Sequence, residues 1–260
     1  MEQARLIIDP PSDGAWNMAV DQALLETANN TGLITLRFYQ WSEPTLSLGY
    51  FQSHLDRCQH PTSANCPLVR RRTGGGAILH DREITYSLTV PSTNRWSERN
   101  SDLYHLVHQV LIDLLKQIGA DAALYENQMV SSVDPSSPGN VARPEIDQTA
   151  FMCFERRSPG DIVLGGYKVV GSAQRRMKNA LLQHGSVLLE KSPCSPTLPG
   201  IEDLCGFPLS IEETIKKCAS ETGNELQIDL NDGKLSDAEK RDASNARELF
   251  FASDDWNRNR

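Results

Sequence analysis

Residues 102 to 118 place Leu103, Leu106, Val107, Val110, Leu111, Leu114, Leu115 and Ile118 three and four positions apart. That broad apolar stripe predicts the longest helix of the chain, stopped by Gly119. A second helix is expected from about Ala15 to Ala28, where Trp16, Ala19, Val20, Ala23 and Leu24 keep helical spacing behind a Ser12 or Asp13 cap. Elsewhere the pattern changes to strand. Arg5 to Asp9 opens the chain, and Ile34 to Trp41 alternates, with Leu36 and Phe38 facing away from Thr35, Arg37 and Tyr39. Thr45 to Tyr50 follows Pro44; Leu68 to Arg72, Ala77 to His80 and Ile84 to Pro91 form a strand-rich block around Thr73-Gly74-Gly75-Gly76. Ile162 to Leu164, a Gly165-Gly166 turn, Lys168 to Arg175 and Leu181 to Leu189 predict consecutive hairpins.

Between the long helix and these hairpins, Val130 to Gln148 contains Pro135, Pro138 and Pro144, and is expected as a mobile loop just before Cys153. The last fifty residues read as helical and then polar and frayed, with Asp254 to Arg260 expected to be disordered. There is no internal repeat. Helices interspersed with antiparallel hairpins predict an α+β fold rather than a doubly wound parallel sheet.

Composition narrows the class. The 260 residues suffice for a substantial core, and 39% hydrophobic with 23% charged content suits a globular enzyme. No apolar run nears the roughly 18 residues that a bilayer demands, and Met1 to Pro11 lacks signal-peptide character. A cytoplasmic protein without membrane attachment is expected. Cys58, Cys66, Cys153, Cys194, Cys205 and Cys218 are scattered, without a CxxC or zinc-finger spacing, which favours reduced thiols and no metal site. A formal net charge of −8 argues against nonspecific nucleic-acid binding. Arg70-Arg71-Arg72 and Arg175-Arg176 are local basic exceptions.

Three segments carry candidate chemistry. In Arg72-Thr73-Gly74-Gly75-Gly76-Ala77, continuing to His80, consecutive glycines permit close backbone approach to a ligand. Their amides and flanking arginines suit a carboxylate, phosphate or oxyanion. The spacing is neither that of a P-loop nor that of a dinucleotide fingerprint. Phe151-Met152-Cys153-Phe154 sets a thiol among apolar neighbours, where an ordinary core cysteine is the simpler local reading. Lys168 lies on an apolar hairpin strand, followed by Gly171-Ser172-Ala173-Gln174 and, later, Gln183-His184-Gly185-Ser186. A lone strand lysine ordinarily points to solvent.

Together and in this order, the three segments resemble the catalytic domain shared by biotin and lipoate protein ligases and octanoyltransferases. The likeness runs from about Asn17 to Leu189. It implies a mixed, largely antiparallel sheet with packed helices, whose glycine-rich loop and lysine hairpin line a tunnel for an acyl chain. Residues 1–225 would be this catalytic domain and 226–260 a short helical, partly disordered tail. Lipoate ligases of the family use ATP and no nucleophilic cysteine, whereas Cys153 stands before Lys168 as in the carrier-protein-dependent octanoyltransferases. Arg156, Arg157 and Asp161 make its surroundings more charged than the family pattern.

The resemblance implies that Cys153 and Lys168 are catalytic and that no cofactor is required. Octanoyl-acyl carrier protein would be the donor, and a lipoyl domain (glycine cleavage H protein or 2-oxoacid dehydrogenase E2) the acceptor; a monomer is expected. A free thiol with pKa ~8.5 is only slightly ionised at neutral pH, and a Lys168 ammonium would favour the thiolate. Amides of Gly74 to Ala77 and Gly171 to Ala173 are candidate oxyanion donors. His80 is expected to hydrogen-bond the loop, with a direct catalytic role as the alternative, His184 to hold the strand or shape the acceptor site, and Arg175 and Arg176 to meet an acidic carrier. Three readings stay open: octanoyl transfer, with amidotransfer between lipoyl domains as its near variant; ATP-dependent lipoate ligation with ATP and Mg; and a non-catalytic carrier-binding module.

Overall fold

The computed structural model describes residues 2–97, 100–126 and 146–259. In chain order the strands and helices are β1 (Glu2–Ile8), α1 (Gly14–Thr31), β2 (Ile34–Tyr39), β3 (Thr45–Leu48), β4 (Leu68–Arg70), β5 (Ile78–His80), β6 (Glu83–Pro91), α2 (Asn100–Gln117) and β7 (Ala123–Leu124). They continue with β8 (Ile162–Leu164), β9 (Tyr167–Arg176), β10 (Ala180–Leu188), α3 (Ile201–Cys205), α4 (Ile211–Leu226), β11 (Ile228–Asp232), α5 (Asp237–Ala246) and α6 (Asp254–Asn257). Among the described residues, eight strands form one sheet in the order β11-β1-β2-β6-β10-β9-β8-β7, and β4-β3-β5 form a smaller one. The β11-β1-β2 edge is parallel and the rest of the large sheet antiparallel, the mixed α+β arrangement expected.

Both faces of the large sheet are covered. On one, Leu36, Phe38, Tyr86 and Leu88 pack against the predicted stripe of α2 and against Ile215, Cys218 and Ala219 of α4. On the other, Met18, Val20, Ala23 and Leu24 of α1 meet Ile7, Tyr39, Ala243 and Phe251. This explains why β2 and β6 show no alternation in burial: Thr35 and Arg37 are as buried as Leu36 and Phe38. Asp13 caps α1 by accepting a hydrogen bond from the Trp16 amide at 2.8 Å, and Gly32 ends it at φ 78°. No described helix is long and apolar enough to cross a membrane.

The C-terminal segment departs from expectation. β11 extends the large sheet beside β1, α5 packs on α1, and Glu239 pairs with Arg5 at 2.6 Å. Residues 254–257, expected to be disordered, are helical. The cause is a distant partner. Arg70 is fully buried and donates to the Trp256 and Asn257 carbonyls at 3.2 and 2.9 Å, while its amide donates to Asn257 Oδ1 at 2.7 Å. Polar residues that read as solvated tail therefore complete a buried arginine's hydrogen bonds. Of the expected loop from Val130 to Gln148, residues 130–145 lie outside the described residues.

Asn257→Ala removes the acceptor for the Arg70 amide and the donor to the Phe251 carbonyl. Denaturant unfolding should show a loss of about 1–3 kcal/mol.

Candidate active site

Gly165 and Gly166 both take positive φ, 57° and 85°, closing the tight turn between β8 and β9. Lys168 stands just past it, and its side chain turns inward rather than to solvent, 4% exposed. It has room because Gly171 lacks a side chain: a Cβ there would lie 2.4 Å from Lys168 Cε. The Lys168 Nζ lies 3.5 Å from Cys153 Sγ and 2.8 Å from an Asp161 carboxylate oxygen. Its ammonium is also 5.3 Å from the centre of the Phe154 ring.

Cys153 is set by the glycine-rich loop. The Ala77 amide donates to the Phe151 carbonyl at 3.0 Å, and the Cys153 amide donates to the Ala77 carbonyl at 2.7 Å. Between them a Cβ on Gly76 would come within 3.1 Å of Cys153 Cα. The loop is held from beneath by Arg71, which donates to the Gly74 and Gly76 carbonyls and, on its other nitrogen, to the Ser47 carbonyl and hydroxyl. Burial lowers the Arg71 pKa to about 10, against the pull of Cys153. Its positive charge thus sits close to the thiol.

Two histidines expected at the site are wired to carboxylates. His80 Nδ1 is 2.7 Å from Glu83, its Nε2 is 2.7 Å from the Ser47 hydroxyl, and its ring stacks on Trp41. Burial holds its pKa below the ordinary value although Glu83 opposes this. His184 bridges Asp21, at 3.1 Å, and the Thr73 hydroxyl, at 2.8 Å. Burial would raise the Asp21 pKa, but the His184 hydrogen bond and the Arg37 charge outweigh it and leave it lowered.

A third polar chain had no signal in local sequence. His108, on α2, faces the Gly160 carbonyl through Nδ1 and the Ser172 hydroxyl through Nε2, each at 2.6 Å. The carbonyl can only accept, so Nδ1 carries the proton and Nε2 accepts from Ser172. The directions along the rest of the chain then follow: Gln183 donates to Tyr86, and Tyr86 donates to Ser172. Burial pushes the His108 pKa down to about 3, with the Gly160 carbonyl opposing, so this ring stays neutral.

A partly open cavity of about 50 Å³ joins these groups. Of the residues anticipated at the site, Gly74, Gly75, His80, Cys153, Gly171, Ser172, Ala173 and His184 line it. Met18, Tyr39, Ile78 and Phe154 supply its apolar wall; of these only Phe154 belonged to a segment singled out in sequence. Gly76 and Ala77 lie outside the lining and act through the backbone contact with Cys153. The Ala77 amide is taken by the Phe151 carbonyl, so it is not an oxyanion donor. Arg72 also stands apart: its guanidinium lies 4.2 Å from the centre of the Phe250 ring. Arg175 donates to the Arg72 carbonyl, and Arg176 is exposed. Arg157, anticipated as unusual charge near the thiol, staples the loop by donating to the Phe154, Arg156 and Gly166 carbonyls. A larger apolar cavity, of about 250 Å³, lies between α2 and α4 and is lined by neither thiol nor imidazole.

Residues 13–195 match the lipoyl protein ligase A/B catalytic domain, and the chain belongs to that family. Over nearly its full length it is similar to the octanoyltransferase LipM of Kyrpidia tusciae, 31% identical with 99% of both chains covered. The octanoyltransferase LipM of Oceanobacillus iheyensis is 36% identical over 83% of this chain and 73% of its own. The fold is shared with a chain of the bi-partite lipoate protein ligase and E2 lipoyl domain structure from Thermoplasma acidophilum (TM-score 0.74, 19% identity, 99% and 97% covered). A lipoate-protein ligase A bound with ATP gives a TM-score of 0.73 at 20% identity, with 98% of each chain covered.

Gly171→Ala should push Lys168 away from Cys153 while leaving the strand intact. Alkylation of Cys153 by iodoacetamide near neutral pH, followed by site-resolved mass spectrometry, should slow roughly tenfold as the thiolate loses its ammonium neighbour.

His108 gives a second test. Its pKa is lower folded than unfolded, so between about pH 6.5 and 3 only the unfolded chain takes up this proton. Stability should therefore fall as pH drops through that window, by up to about 1.4 kcal/mol per pH unit. The slope of unfolding free energy between pH 7 and pH 5 should be shallower in His108→Asn.

Proposed function

We propose that this chain is an octanoyltransferase: it takes an octanoyl group from an acyl carrier protein thioester onto Cys153 and passes it to a lysine amine of a lipoyl domain. The observation that carries the reading is the Cys153 thiol set 3.5 Å from the buried Lys168 ammonium, beside a partly apolar cavity, in a chain similar end to end to octanoyltransferases. A thiol in this position suits two successive acyl transfers, since thioester exchange is nearly balanced and aminolysis of a thioester runs downhill.

In the first transfer the Cys153 thiolate attacks the donor carbonyl, and collapse of the tetrahedral adduct breaks the bond to the carrier sulfur. Lys168 gives that sulfur its proton and is left neutral. In the second, the acceptor amine attacks the Cys153 thioester, Lys168 takes back a proton from the amine, and Cys153 leaves as thiolate. The sum is thioester plus amine to amide plus thiol, with no external oxidant, metal or nucleotide. Proton transfer of this kind typically contributes about 10²–10⁴-fold. The apolar wall receives the alkyl chain, at about 0.8 kcal/mol for each buried methylene. Acceptors are the glycine cleavage H protein or an E2 lipoyl domain, and the enzyme works as a cytoplasmic monomer.

Incubation with octanoyl-acyl carrier protein should add one octanoyl mass to the intact chain without ATP, and the adduct should be absent in Cys153→Ala. Lys168→Ala should acylate about 10²–10⁴-fold more slowly. Acylation that required ATP and Mg would replace this reading by lipoate ligation, and acylation from an octanoylated lipoyl domain alone by amidotransfer. No adduct from any donor would leave a carrier-binding module.

A further inference from the structure

We infer that Asp161 is a positioning residue for the reacting pair: its carboxylate pairs with the Lys168 ammonium and aims it at Cys153. The inference rests on the proposed acyl transfer for its purpose, but its geometry stands independently. Lys168 and Asp161 form an ion pair at 2.8 Å with side chains 4% and 3% exposed. An ammonium this deeply buried needs a counter-charge and further hydrogen bonds to stay ionised. Among the described residues, Asp161 is the carboxylate within ion-pair distance of Lys168.

Asp161 is itself fixed. The oxygen that meets Lys168 also accepts the Ser158 amide at 2.8 Å, and the other accepts the Tyr104 hydroxyl at 3.3 Å. Its backbone is tied as well, since the Tyr125 amide donates to the Asp161 carbonyl and the Gly160 amide to that of Tyr125. The carboxylate is thus a rigid anchor built from α2 and two loops. A lysine on four methylenes gains direction from such an anchor, which its own strand does not supply. His108 also faces Lys168, but as a neutral ring. Arg71 and Arg157 also act on Cys153, and Asp161 favours the Arg157 charge that burial opposes, a smaller route to the thiol that does not pass through the lysine.

Asp161→Asn keeps the shape and the acceptors for Ser158 and Tyr104 but removes the charge. Iodoacetamide alkylation of Cys153, read by site-resolved mass spectrometry from pH 6 to 9, needs no acyl substrate. Asp161→Asn should move the alkylation profile to higher pH and slow alkylation at pH 7 roughly tenfold, as Lys168→Ala does. On a Lys168→Ala background it should add less than about threefold, because its effect passes through the lysine. This double variant buries no unpaired charge and folds even where the single one does not. An unshifted profile in Asp161→Asn, or a double variant more than about tenfold slower than Lys168→Ala, overturns the inference. Acylation by octanoyl-acyl carrier protein is measured alongside. A wild type that resists acylation defeats the proposed function alone, whereas normal acylation of Asp161→Asn defeats only the positioning role.

Discussion

Gly76 lies so close to Cys153 that a Cβ on the glycine would sit 3.0 Å from the Cys153 amide nitrogen and 3.1 Å from its Cα, tight enough that the neighbouring backbone would have to give. The site depends on that contact. It allows Ala77 and Met152 to form an isolated parallel bridge, and the bridge sets the start of the turn on which Cys153 stands. The loop in turn needs Arg71 beneath it and the bare Cα of Gly49 behind it, where a Cβ would overlap the Gly75 carbonyl. Three stretches of chain, near residues 49, 75 and 153, are therefore packed backbone to backbone. A thiol placed by such packing has little freedom to drift from the lysine opposite it.

Charge is buried on the same principle, with each cation given a fixed partner. Arg37 is met by Asp9 and Asp21, Lys168 by Asp161, and Arg70 and Arg71 by cages of carbonyl oxygens. Asp21 links Arg37 to His184 and so to Thr73 at the head of the glycine loop. The α1 face of the sheet thus carries an electrostatic framework into the site. Among the buried histidines His108 differs from His80 and His184: it has no carboxylate partner, and stays neutral inside a hydrogen-bonded chain of fixed direction. Breaking one member of these sets would strand a polar group or charge in the interior, which costs far more than a surface contact returns.

Much was readable from local pattern. The α2 stripe, the Gly119 stop, the Gly165-Gly166 turn and the order of the glycine loop, Cys153 and Lys168 all appear in the structure where their spacing placed them. Each of these depends on neighbours within a few residues, or on a run of residues whose order is itself informative. The misreadings share the opposite character. Trp256 and Asn257 looked like frayed tail because their partner is Arg70, 187 residues from Asn257. Arg72 looked like a ligand-binding arginine because it borders the glycines, yet it stacks on Phe250 from the far end of the chain. Asp161 looked like stray charge beside a thiol until Lys168, seven residues on, folded back over Gly171 to meet it.

The sequence by itself determined most of the elements, the family and the order in which the glycine loop, Cys153 and Lys168 follow one another. Periodicity, turn glycines and the order of the three segments are properties of the linear chain. Only the tertiary structure decided that Cys153 is not a core residue and that Lys168 does not point to solvent. It also decided that His108, Tyr104 and Asp161 surround them. Those outcomes are set by which side chains meet across a packed interior, where a buried charge must find its counterpart and local spacing carries no information about who that partner is.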